Sequence, residues 1–192
     1  GPFIVWEWIP RHSDAIRIAF IERVAPPLEG WPNIRVASRT FNSTQIVSDM
    51  DEAAAFYQGV LGFQPYLEHI GPSEAPGEHV LGLSREAMVA VTREVRILSP
   101  QGDNEGSVEL LEFRDYTGRD FSDRARPPNL GVLMLRYPVP DVEALAVYFE
   151  RSGVTLAAPV TTVQMAPYGA VKTVAVQAPD GAWLEFFEDT SQ

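Results

Sequence analysis

The chain has 192 residues, 45% of them apolar and 10% aromatic, enough for a packed core and outside the composition of disordered chains. Its 15 Lys and Arg face 26 Asp and Glu, and the formal net charge of -11 repels phosphate backbones and anionic bilayers, which argues against nucleic-acid and membrane partners. The lack of cysteine excludes disulfides, thiolate nucleophiles, Cys-type zinc sites and iron-sulfur clusters, and leaves His12, His69 and His79 as soft ligands. No apolar run approaches the roughly 18 residues of a membrane span, so a soluble cytoplasmic protein is the expectation.

In chain order, Phe3–Ile9 and Ile18–Glu22 read as two strands, and Pro26-Pro27 through Trp31-Pro32 as a linker. A strand over Arg39–Val47 then leads to a helix predicted from Asp49 to Leu61. Asp49 caps it with Glu52 at the third helical position, Ala53, Phe56, Tyr57 and Val60 form its apolar stripe, and Gly62 ends it. Strands follow at Phe63–His69, Met88–Leu98 and Ser107–Phe113. The segment Gly71–Gly82 between the first two reads as a surface loop or flap, since its G-x(5)-G lacks the K-[ST] of a phosphate loop. Tyr116–Asn129 reads as a charged connection. A second strand at Gly131–Val139 and a second helix from Asp141 to about Ser152, stopped by Gly153, precede strands at Val154–Pro159, Ala170–Gln177 and Ala182–Glu188.

The order strand, helix, three strands thus occurs twice, an α+β pattern with an internal repeat. Both halves close on the same strand: Val108-Glu109-Leu110-Leu111-Glu112 and Leu184-Glu185-Phe186-Phe187-Glu188 each set two glutamates three apart after a glycine turn. Ile18-Ala19-Phe20-Ile21-Glu22 echoes that strand. Residues 1–30 are therefore expected to hold the last two strands of a partial preceding module plus linker, as in a fragment of a longer protein. Modules at 36–115 and 130–189 with a linker at 116–129 complete the expected organisation.

The motif D-x(6)-F-Y-x(3)-L-G-F, carried by Asp49, Phe56, Tyr57, Leu61, Gly62 and Phe63, resembles the vicinal oxygen chelate superfamily of glyoxalases, bleomycin resistance proteins and extradiol dioxygenases. The second copy, Asp141, Tyr148, Phe149 and Gly153, is looser, but Ala178-Pro179-Asp180-Gly181-Ala182-Trp183-Leu184-Glu185 is close to the family's closing strand. The resemblance implies paired βαβββ modules forming a cupped mixed β-sheet with helices on the outside and the site inside the cup. It also implies metal-ligand positions at Asn42, Glu109, Met134 and Glu185. Two carboxylates with an amide and a thioether make a poor set for zinc, iron or nickel, so no cofactor is expected, and Glu109 and Glu185 are the remaining candidates for a divalent ion.

Strand alternation divides the side chains between two faces. Val108, Leu110, Leu133, Leu135, Leu184 and Phe186 suit the face beneath the helices. The opposite phase puts Asn42, Thr44, Ile46, Glu109, Leu111, Phe113, Met134, Arg136, Trp183, Glu185 and Phe187 in the cup. Of these, Glu109 and Glu185 are the candidate catalytic groups, with Arg136 as partner for a carboxylate. Asn42, Thr44, Phe113, Met134, Arg136, Trp183 and Phe187 are the candidate ligand contacts. An isomerase, lyase or oxygenase acting on a small, largely apolar or aromatic carbonyl compound is one reading. A metal-free binding or drug-sequestering protein is another, and a structural domain with a closed Glu/Arg network a third. The partner expected is a small molecule, with a homodimer favoured if the partial module leaves sheet edges exposed.

Overall fold

The computed structural model describes residues 4–10, 16–26, 36–38, 40–72, 83–126 and 128–188. His12, His79 and all of the 71–82 segment beyond Pro72 lie outside them. Two four-stranded sheets carry the fold. In chain order the first half is β3 (Asn42–Ile46), α1 (Met50–Ala54) continuing as a π-helical stretch (Ala55–Val60), β4 (Gln64–Gly71), α2 (Arg85–Ala90), β5 (Arg93–Ser99) and β6 (Ser107–Phe113). The second is β7 (Met134–Val139), α3 (Val142–Arg151), β8 (Leu156–Met165), β9 (Gly169–Gln177) and β10 (Trp183–Glu188). The strand orders are β3-β6-β5-β4 and β7-β10-β9-β8, each sheet mixed because its first strand runs parallel to its last. The molecule is α+β, as the repeat implied.

Local chemistry sets each boundary. Asp49 accepts the backbone N–H of Glu52 at 2.9 Å and Asp141 that of Ala144 at 2.8 Å, so both helices start on an aspartate cap. Gly62 (φ 74°) and Gly153 (φ 76°) end them in the left-handed region open to glycine. One expectation needs correcting: the strand placed over Met88–Leu98 begins only at Arg93. Residues 85–90 form a short helix, because the Ser84 hydroxyl accepts the N–H of Ala87 at 3.2 Å and offers that backbone a cap.

One continuous core joins the halves. Met50, Ala53, Phe56 and Tyr57 from the first helix and Val142, Ala146 and Phe149 from the second pack with Val108, Leu110, Leu184 and Phe186 from the closing strands. Aromatic rings run across the seam from Tyr57 to Phe63, Tyr137, Phe186 and Phe149. The Tyr148 hydroxyl donates to the Val60 carbonyl at 2.8 Å. Gly181 (φ 88°) lies so close to the connecting segment that a Cβ there would stand 2.6 Å from Cβ of Ser122.

The N-terminal strands β1 (Ile4–Trp8) and β2 (Phe20–Ala25) form a separate antiparallel pair. Trp6 and Trp8 on this pair are 70% and 67% exposed.

Candidate functional site

The paired glutamates of each closing strand divide their labour by parity, since residues three apart on a strand face opposite ways. The second of each pair turns under the sheet to a helix: Glu112 accepts the N–H of Met50 at 3.3 Å and Glu188 that of Val142 at 3.0 Å. The first of each, Glu109 or Glu185, then faces away from the helices. Val108, Leu110 and Leu184 are fully buried and Phe186 nearly so, on the helix side.

In the first half, β3 runs beside β6 with Asn42 opposite Ser107, Thr44 opposite Glu109 and Ile46 opposite Leu111. The Asn42 amide donates to the Ser107 hydroxyl at 2.9 Å. Glu109 therefore sits in a row of Thr44, Ile97 and Leu67 across four strands. Burial pushes its carboxyl above the ordinary range, and the nearby Glu7 carboxylate pushes the same way. Arg93 and a hydrogen bond with Thr44 oppose this without cancelling it. The sequence reading missed Arg93 and Glu7. Arg93 stands opposite Phe113 on the neighbouring strand, a placement that requires the β5–β6 register, and Glu7 comes from the N-terminal hairpin. His69 shares this face on the edge strand β4, opposite Val95, exposed and one row from Glu109.

In the second half the equivalent ladder sets Met134 opposite Trp183 and Arg136 opposite Glu185. Arg136 Nε donates to Glu185, an ion pair in which the arginine side chain is 53% exposed and the glutamate 12%. Phe187 is buried with Val163, Met165 and Val171 in a small cluster on this face, and the Tyr168 ring packs on it with centroids 4.9 Å apart. Trp183 remains partly open beside the ion pair. The same ladder position is thus filled by Thr44 in one half and Arg136 in the other, so one half-buried glutamate has a hydroxyl beside it and the other is half of an ion pair.

A family model for the glyoxalase/bleomycin resistance protein/dioxygenase superfamily matches residues 40–186. The chain belongs to that superfamily. Solved glyoxalase-superfamily structures share its fold. One from Bacillus cereus is 17% identical, with a TM-score of 0.60 over 81% of this chain and 96% of its own. Another from Enterococcus faecalis is 17% identical, with a TM-score of 0.53 over 78% and 96%. A glyoxylase/bleomycin resistance protein/dioxygenase domain from Frankia sp. EAN1pec is 16% identical, with a TM-score of 0.51 over 80% and 99%. A search of curated proteins gave no match.

The superfamily resemblance implies a divalent metal at Asn42, Glu109, Met134 and Glu185, and the donor chemistry here does not fit one. Asn42 is engaged with Ser107, Met134 offers a thioether, Glu185 is paired with a guanidinium, and burial raises the pKa of Glu109. Elsewhere, Asp141, Glu143 and Glu188 bring carboxylates within 4.8 Å of one another. Asp141 and Glu188 are spent capping α3, and Glu143 pairs with Lys172. Among the described residues no helix is long and apolar enough to cross a membrane.

Proposed function

We propose that this superfamily member binds a small, largely apolar or aromatic carbonyl compound on the open faces of its sheets and catalyses proton transfer next to the carbonyl, as an isomerase or lyase does. The observation that carries the reading is Glu109, a half-buried carboxyl in a mostly apolar row whose pKa is raised by burial, as suits a group that exchanges protons with a substrate. In its ionised form it removes a proton from the carbon next to the carbonyl, and in its neutral form it returns one. Glu185, held by Arg136, serves to position rather than to shuttle protons. The engaged ligand positions favour a second reading, a metal-free binding protein of the drug-sequestering kind.

Proton exchange separates the two. Phenylpyruvate and benzylacetone incubated with the protein in D2O and followed by NMR are expected to exchange the hydrogens next to the carbonyl, and Glu109→Gln is expected to slow exchange by about 100-fold or more with binding retained. Binding without exchange by the unaltered protein would leave the sequestering function.

A further inference from the structure

The ladder position that holds Thr44 beside Glu109 holds Arg136 beside Glu185, and this difference sets a cation against a glutamate that the superfamily resemblance makes a metal-ligand position. Among the described residues Arg136 makes one side-chain hydrogen bond, Nε to a Glu185 oxygen. A guanidinium carries five N–H donors in a planar fork, so the two terminal amino groups keep a complete bidentate edge. Half of the Arg136 side chain is open to solvent while Glu185 is nearly covered, so the ion pair anchors the arginine at Nε without burying it. Trp183 flanks the pair on the same strand, and the Tyr168–Phe187 ring pair lies on the same face.

We propose that Arg136 is an anion-binding residue: it binds the carboxylate of an aromatic or apolar monocarboxylate through its terminal amino groups, with Trp183 beside the apolar part of the ligand. The inference rests on the small-molecule reading above and narrows it from carbonyl compounds in general to carboxylic acids. The chain's net charge of -11 restricts the class further, because one local cation within an acidic protein suits a single negative charge and not a polyanion. Arg136 is a binding and specificity residue here, and Glu185 a positioning residue that holds the guanidinium plane. A divalent ion has no part in the binding.

The test is calorimetric titration of the full chain, in chelator, with benzoate, cinnamate and 1-naphthoate and with the neutral amide of each. At least one carboxylate is expected to bind about tenfold or more tightly than its amide, the difference made by a charge-assisted bidentate contact. Arg136→Gln combined with Glu185→Gln, which leaves no unpaired charge behind, is expected to bring the acid down to the affinity of the amide. Arg136→Lys is expected to restore only part of the preference, since it keeps the charge and loses the fork. Equal binding of acid and amide by the unaltered protein would overturn the proposal and leave the small-molecule reading standing. So would an acid preference that survives the double substitution or that appears only with added Mn2+ or Zn2+. Failure of all six compounds to bind would overturn both.

Discussion

Glu109 and Glu185 occupy the same place in two copies of one strand, and the residue facing each across the parallel ladder differs. Thr44 offers Glu109 a hydrogen bond but no charge, so burial dominates and its proton is held more tightly. Arg136 offers Glu185 a charge. A carboxyl with a raised pKa binds more protons folded than unfolded between its ordinary value and its raised one, so it contributes stability at acid pH that is lost as pH rises through that window. Glu109→Gln cannot ionise. It is expected to match the unaltered protein in urea denaturation near about pH 4 and to be more stable than it near about pH 8. Equal stability at both pH values would mean that Glu109 is not buried against its charge. The face of each glutamate was legible in the sequence, because two glutamates three apart in an apolar strand must split between the two sides. The environment of Glu109 was not, because Arg93 and Glu7 reach it through strand pairing and hairpin placement that no local pattern encodes.

At the scale of the element, each module fixes the start of its helix with two carboxylates, one of them from its closing strand. An aspartate caps the helix from the preceding residue, and the second glutamate of the strand reaches the first helical N–H from below. The helix dipole favours both carboxylates at that end. Glu188→Ala removes the 3.0 Å contact to Val142 and is expected to cost about 1–2 kcal/mol in denaturant unfolding, with Glu188→Gln costing less. An unchanged midpoint for Glu188→Ala would reduce that contact to geometry without energy. The helices themselves were readable from caps, stripes and terminal glycines. The spacing from aspartate to glycine, 13 residues in the first copy and 12 in the second, also has a structural cause. The first helix passes into a π-helical stretch over Ala55–Val60, whose wider turn takes up one more residue, while α3 stays α-helical. The short helix at Arg85–Ala90 escaped the sequence reading because one turn and a half is too brief to display a period, and its serine cap resembles any loop serine.

At the scale of the molecule, the two sheets share one core through their helix faces, and burial at the seam pushes the Tyr137 hydroxyl up to about 12 while it donates to the Gly106 carbonyl at 3.3 Å. The repeat made this two-module plan visible in advance, because each half carries the same capped helix and the same closing strand. What the repeat could not reveal is how far the halves have diverged on the faces away from the helices, one carrying a half-buried acid beside a threonine and the other an exposed cation. That divergence is the basis for reading the chain as a superfamily member whose chemistry runs on its own side chains. The most direct test is a 13C NMR titration of the glutamate carboxyl groups, with Glu109 assigned by comparison with Glu109→Gln. The account predicts that the Glu109 resonance titrates clearly above the ordinary carboxylate range, and that adding Mg2+ leaves its midpoint where it was. A midpoint at the ordinary value, or one driven down by the added ion, would contradict it.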